Sequence, residues 1–427
     1  MPSNCVFEFD RPTPVYYSGE TINGRVVLTT TSSKSVNEVY ILFEGEAKVR
    51  WDEQRSRTRN GKTESYTEHF RGSETYLNTR TAVFGEGNLP AGTHSYTFCI
   101  PLPLECRTSC VEKYGKISYE ISLVVDRSWR FNNVFKQPLT VLQTYNLNMY
   151  PEMLIPLKNE DIKYFCCWPC SSGPVISTLT IPFGGYAPGQ RIPFSLEIDN
   201  QSHGYDLDGI ELKLKQIYKF VASSPHYKAR EHDNTLTTDG RNGDGERVLR
   251  LSKRILNGTL IIPPVPPSSR HEGIITVRYV ILMYIKTGSC HTDSEIRVPI
   301  VIGTIPLAQS AEHPENAAAW IPETPDTPAG AAADLPPSYD NCKPPSFEQA
   351  THIGEKFVDT DVDEHNRTDD FIPKYPMYTN FAMPSAPPAP DAPPYPALTL
   401  PSAPTEDNIE NGTDGRQIQT YGWNSGT

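Results

Sequence analysis

Ser118-Tyr119-Glu120-Ile121-Ser122-Leu123-Val124-Val125 sets Tyr119, Ile121, Leu123 and Val125 at every second position, alternating with Ser118, Glu120, Ser122 and Val124. Successive side chains of a strand point to opposite faces, so the first four line one buried face of a sheet. The same period recurs before it, in Val26 and Leu28 and in Val39, Ile41 and Phe43. It recurs after it in four runs: Phe194, Leu196 and Ile198; Leu212, Leu214 and Ile217; Val277, Tyr279, Ile281 and Met283; and Ile296, Val298, Ile300 and Ile302. Turn residues separate these runs and no long helical period interrupts them. The chain is therefore expected to be all-β, built from antiparallel sandwiches that each keep a solvated face.

The runs fall into two sets, giving expected domains at residues 1–149 and 174–307, with 150–173 as the connector between them. The sets resemble each other. Tyr17-Ser18-Gly19-Glu20-Thr21-Ile22 opens the first and Ala187-Pro188-Gly189-Gln190-Arg191-Ile192 the second, each a glycine turn feeding a strand. Repetition at so long a period indicates duplicated domains. Two stretches break the pattern. Between Val49 and Phe70 the chain is too charged for a core strand and reads as a long exposed hairpin or loop; Asp239-Gly240-Arg241-Asn242-Gly243-Asp244-Gly245 lacks the acidic spacing of a calcium loop and reads as a loop between strands.

Residues 308–427 are of another kind. From Pro306 onward lie 19 of the 51 acidic residues, 5 of the 39 basic ones and 20 of the 40 prolines, a net charge of −14 that leaves the first 305 residues at +2. Such a tail buries too little apolar area to offset its conformational entropy and is expected to be disordered. The near-neutral remainder gives no global basic field for nucleic acid. The start has no basic segment followed by an apolar run, no stretch approaches the length of a membrane span, and nine irregularly spaced cysteines fit reduced thiols. A soluble, intracellular chain is expected.

Within the tail stands Leu335-Pro336-Pro337-Ser338-Tyr339. Two prolines hold the backbone near a polyproline II helix, so little ordering entropy is left to lose on docking, and Tyr339 adds an apolar ring with a polar tip. Pro336, Pro337, Ser338 and Tyr339 thus suit the aromatic groove of a WW domain, against the rival reading of a surface turn produced by composition. Two near copies are damaged: Pro344-Pro345-Ser346-Phe347 lacks the tyrosine, and Ala392-Pro393-Pro394-Tyr395 lacks the first proline.

Tyr17-Ser18-Gly19-Glu20-Thr21-Ile22-Asn23-Gly24, the run from Leu89 to Phe98, Cys166-Cys167-Trp168-Pro169-Cys170-Ser171-Ser172-Gly173, Gly185-Tyr186-Ala187-Pro188-Gly189 and the run from Pro299 to Leu307, taken in this order, resemble the arrestin superfamily, specifically the arrestin-domain-containing proteins or α-arrestins. The resemblance spans about residues 6–307 and the tail motif. It implies two tandem arrestin-type, immunoglobulin-like β-sandwiches and, for the tail motif, docking onto WW domains of HECT-type ubiquitin ligases of the Nedd family. The implied function is a cytoplasmic adaptor, recruited to plasma membrane and endosomes with only peripheral membrane association. It would deliver receptor or transporter cargo for ubiquitination, internalisation and sorting. The resemblance also admits a coat subunit like the arrestin-like subunit of retromer, and a receptor desensitiser that works by steric block.

Pro384-Ser385-Ala386-Pro387 and Pro401-Ser402-Ala403-Pro404 resemble the late-domain peptide read by ESCRT-I, with composition as the competing reading. For cargo or phosphate contact the candidates are Lys48, Arg50, Arg55, Arg57, Arg59 and Lys62, then Lys113, Lys116, Arg127 and Arg130; a solvated charged face is the competing reading. Cys166, Cys167 and Cys170 offer zinc ligands or palmitate acceptors, but a tetrahedral zinc site wants a fourth ligand, and they read as exposed or half-buried thiols of the connector. No catalytic template appears: no Gly-x-Ser-x-Gly, no His-Glu-x-x-His, no P-loop, and no histidine spacing that suggests an acid/base pair. No catalytic residue, metal or cofactor is expected.

Overall fold

The computed structural model describes residues 3–59, 62–127, 131–167, 170–204, 206–207, 209–241, 247–285, 294–310 and 371–378. Two sandwiches follow one another, as the period-two runs predict. In the first, β1 (Ser3–Phe9), β3 (Thr21–Thr30) and β8 (Gly92–Pro101) form one sheet. The other runs in the order β2 (Val15–Tyr17), β11 (Asn133–Leu142), β10 (Gly115–Asp126), β5 (Glu38–Arg59) and β6 (Lys62–Phe84), with β9 (Cys110–Glu112) on β10; β4 (Lys34–Val36) and β7 (Gly87–Leu89) pair separately. Tyr119, Ile121, Leu123 and Val125 are buried and meet Val26, Leu28, Ile41 and Phe43 in the core. Burial on this scale, about 1.5–3 kcal/mol per large apolar side chain, is what opposes the chain entropy.

The second sandwich repeats the plan. Its sheets are β12 (Leu157–Cys167), β13 (Cys170–Ile181), β15 (Arg191–Asn200) and β18 (Ser252–Ile261), facing β14 (Gly185–Tyr186), β20 (Ser294–Ile302), β19 (Ile275–Ile285), β16 (Ile210–Ala222) and β17 (Lys228–Arg241) in that order. Short β2 runs parallel to β11 as short β14 runs parallel to β20. The glycine turns that follow are built alike. Gly19 (φ 88°) and Gly189 (φ 92°) occupy the left-handed region that disfavours side chains. Glu20 Oε2 accepts from the Tyr17 amide at 2.8 Å, and Gln190 Oε1 accepts from the Ala187 amide at 2.7 Å. The resemblance between the two openings is thus a shared hydrogen-bond pattern as well as a shared spelling.

Three expectations need correction. Residues 150–173 are not all connector, because β12 covers Leu157–Cys167 and pairs with β13 from Leu157↔Ile181 to Cys167↔Cys170. This edge strand leaves Ile162 and Tyr164 largely exposed, so it shows no buried alternation to read. Ile217 does not share a face with Leu212 and Leu214; Gln216 does, buried and donating from Nε2 to Tyr279 Oη at 2.8 Å. Asp239 to Arg241 continue β17 rather than starting a loop. The charged stretch between Val49 and Phe70 is the outer half of one hairpin, paired from Val39↔Phe84 to Arg59↔Lys62 with register shifts between Val39 and Tyr40 and between Gly45 and Glu46. At roughly 3.3 Å per residue its strands run on the order of 70 Å.

Candidate functional site

Alternation along β5 and β6 divides the predicted basic cluster between two faces. Even-numbered positions of β5 carry Lys48, Arg50 and Asp52 outward, with Arg71 directly across from Arg50 and His69 across from Asp52. Lys116 of β10 lies opposite Lys48 on the same face. The outward strip therefore holds Lys116, Lys48, Arg50 and Arg71, with Glu46 paired to Lys48. Asp52 sits among them, and the hydrogen bond from His69, with the charges of His69, Arg50 and Arg71, holds its carboxyl below the usual range. Arg71 is absent from the sequence-based set because it lies on the returning strand.

The odd-numbered positions of β5 that enter the first core at Ile41 and Phe43 turn, from Trp51 to Arg55, toward the second domain. Trp51 and Phe70 are buried and stacked at 5.3 Å, with Tyr114 on the edge of Trp51 and His226 on the edge of Phe70. Lys228 Nζ stands 5.0 Å from the Phe70 ring and donates to Glu53 at 2.5 Å; Arg55 bridges Glu53 and Glu68, each at 3.2 Å. Tyr114 in turn meets Phe220, His232 and the Arg230 guanidinium, the last at 4.2 Å. Backbone joins the two domains as well: the Arg71 amide donates to Ser224, and the amides of Ser223 and Ser224 donate back to the Arg71 carbonyl. A Cβ on Gly72 would come within 2.9 Å of the Val221 carbonyl oxygen, so the close approach needs glycine.

The other predicted positions are scattered. Arg57 pairs with Glu64 at 3.4 Å, Lys113 lies 5.3 Å from the Tyr114 ring, and Arg127 donates to Asn133 at 3.4 Å. Arg59 ends β5, and Arg130 lies outside the described residues. So do Pro336, Pro337, Ser338 and Tyr339 and both Pro-Ser-Ala-Pro copies. Cys166, Cys167 and Cys170 sit at the β12–β13 hairpin end rather than in a connector.

Burial pushes the Cys5 and Cys110 thiols up to about 12 and Cys106 to about 11, which keeps them protonated and unreactive at neutral pH. Among the described residues no group of His, Cys, Asp and Glu could hold a metal ion, and no helix is long and apolar enough to cross a membrane. The features that stand out are a firmly joined domain pair and a basic strip on its outer face, both suited to binding.

Comparison with known proteins agrees with that architecture. Residues 5–148 match the family described as "Arrestin (or S-antigen), N-terminal domain" and residues 171–307 match "Arrestin (or S-antigen), C-terminal domain". The chain is 31% identical over 309 residues to arrestin domain-containing protein 4 of Homo sapiens, covering 70% of this chain and 71% of that one. It is 25% identical over 343 residues to arrestin domain-containing protein 17 of Caenorhabditis elegans, with 78% of each covered. To arrestin domain-containing protein 1 of Mus musculus it is 26% identical over 244 residues, 56% of this chain and 53% of that one.

Proposed function

This chain belongs to the arrestin family, as an α-arrestin-type trafficking adaptor, and on that premise we propose that its tail recruits a WW-domain HECT ubiquitin ligase of the Nedd family to membrane-protein cargo held by the two folded domains. The observation that carries the reading is the complete Pro336-Pro337-Ser338-Tyr339 site, in an acidic, proline-rich tail joined to a duplicated sandwich. The adaptor has no chemistry of its own to perform; it raises the local concentration of ligase at cargo. A single short motif of micromolar strength, about −8 kcal/mol, gives recruitment that reverses readily. Replacing Tyr339 with Ala removes the ring that fills the groove and is expected to abolish co-precipitation of the ligase while leaving the thermal unfolding of the folded domains unchanged. Undiminished capture would sink the assignment. The two Pro-Ser-Ala-Pro copies would add an ESCRT-I contact, read by the same capture assay with Pro384, Pro387, Pro401 and Pro404 replaced.

For cargo, the outward strip of Lys48, Arg50, Arg71 and Lys116 fits an acidic or phosphorylated cytoplasmic segment of a receptor or transporter at the plasma membrane or endosome. Reversing Arg50 and Arg71 together to Glu is expected to slow association with such a segment and to flatten its salt dependence. Equal association rates for wild type and variant across 50–300 mM salt would place cargo contact elsewhere.

A further inference from the structure

Phe371-Ile372-Pro373-Lys374-Tyr375-Pro376-Met377-Tyr378 lies on the folded body, although residues 311–370 separate it from Ser310. It belongs to a window, residues 371–390, without a single acid in a tail whose net charge is −14. Its first half is held by the first domain. The Lys374 amide donates to Thr140 Oγ1 at 3.1 Å, the Tyr375 ring packs on Val15, Tyr17 and Leu142, and the Tyr375 hydroxyl donates to the Ser109 carbonyl at 2.9 Å. Its second half is held by the second domain, where the Tyr378 amide donates to the Pro188 carbonyl at 3.0 Å and its hydroxyl donates to the Thr304 carbonyl at 2.8 Å.

The groove forms where the duplicated corners of the two domains meet. Tyr17 and Leu142 are the last register pair of β2 and β11; Gly303 and Thr304 follow the last pair of β14 and β20. Tyr375, Pro376 and Tyr378 close a small pocket that these four residues line with Pro188 and Val265. A Cβ on Gly189 would stand 1.9 Å from the Tyr378 carbonyl oxygen, so that turn glycine also makes room for the segment. The contacts are selective: two tyrosine hydroxyls, two backbone amides and a proline between the rings.

We propose that this cross-domain groove is a binding site for a Tyr-Pro-x-Tyr peptide, filled in cis by Tyr375, Pro376 and Tyr378, and that Tyr375 and Tyr378 are phosphorylation sites whose modification empties it. Both hydroxyls act as donors to backbone carbonyls. A phosphate there carries about two negative charges and only acceptor oxygens, so it would meet the Ser109 or Thr304 carbonyl as a second acceptor, without water. Unmodified, the segment benefits from tethering, since an effective concentration of order millimolar keeps even a site of tens of micromolar affinity almost fully occupied. Docking anchors the tail twice. The Pro336–Tyr339 site then falls, in sequence, between two attachment points, and both Pro-Ser-Ala-Pro copies follow the second one. Release of the segment therefore changes the reach of the first site more than that of the others.

The test uses the full chain and a fluorescein-labelled synthetic peptide of residues 369–380, and reads groove occupancy independently of any ligase. In the wild type, the amides of Lys374 and Tyr378 are expected to exchange with deuterium well below the free-peptide rate; in the Tyr375→Ala, Tyr378→Ala double variant they exchange at that rate. The double variant, with its groove empty, should bind the unmodified peptide roughly 30-fold or more tightly than the wild type, whose groove is occupied. Peptides phosphorylated on either tyrosine should lose that binding at least about 10-fold, the scale set by losing a buried hydrogen bond and adding charge. Free-rate exchange in the wild type, or equal peptide binding by both chains, overturns the groove. Undiminished binding of the phosphopeptides overturns the switch.

Discussion

Phe70→Ala is expected to lower the stability of the chain by about 3–5 kcal/mol, the range for emptying a fully buried aromatic site. Phe70 is 0% exposed, stacked on Trp51, edged by His226 and approached by Lys228, so its removal strips contacts from both domains at once. The cavity cannot close easily. Trp51 is tied to Glu53 through its indole N–H at 3.1 Å, and the neighbouring backbone is fastened to the second domain through Arg71 and Ser224. Urea denaturation followed by tryptophan fluorescence measures the loss. Because buried residues form one cluster through both domains, the wild type should unfold in one transition and the variant should separate into two. A shift under 1 kcal/mol with a single transition would mean that the hairpin adds little to the coupling of the domains.

That seam shows why some of the protein was legible and some was not. The strands β10, β19 and β20 announce themselves because their inward positions are uniformly apolar: Tyr119 to Val125, Val277 to Met283 and Ile296 to Ile302 are all buried at every second residue. The duplicated turns were legible too, since Gly19 and Gly189 are required by the left-handed backbone and Glu20 and Gln190 by the amide they accept from. An edge strand such as β12 hides because its half-covered positions include the polar Asn159 and Asp161, hydrogen-bonded to Arg297 and Ser294 of β20, while the apolar Ile162 and Tyr164 stand on the exposed face, which inverts the expected pattern. The basic candidates near the hairpin read as one cluster along the chain. In the strand pair, alternation sends Arg50 to solvent and Arg55 to the carboxylates Glu53 and Glu68, and brings in Arg71 from a distant position. The docked tail segment was hardest to see, since Ser109, Thr140, Pro188 and Thr304 share no neighbourhood in sequence and only the acid-free window hints at it.

Gln216 marks a different failure of periodicity, and it supports the second large effect. It occupies an inward position of β16 at 4% exposure, where an apolar residue is expected, and Tyr279 makes that tolerable: its hydroxyl accepts from Gln216 Nε2 at 2.8 Å and donates to the buried Pro266 carbonyl at 2.5 Å. Tyr279→Phe removes one oxygen and leaves two buried groups without that partner, each at about 1–3 kcal/mol, for a total of roughly 2–6 kcal/mol. Shape is preserved, so the cost is not that of a cavity. Gln216→Leu in the same chain removes one of the two orphans and is expected to restore about 1–3 kcal/mol, a coupling that a double-mutant cycle in urea measures directly. If the two substitutions simply add, the hydroxyl is not what holds Gln216 inside. Strong coupling would instead show that one polar pair fixes which residues of β16 face inward, where the apolar pattern alone had put Ile217 on that face.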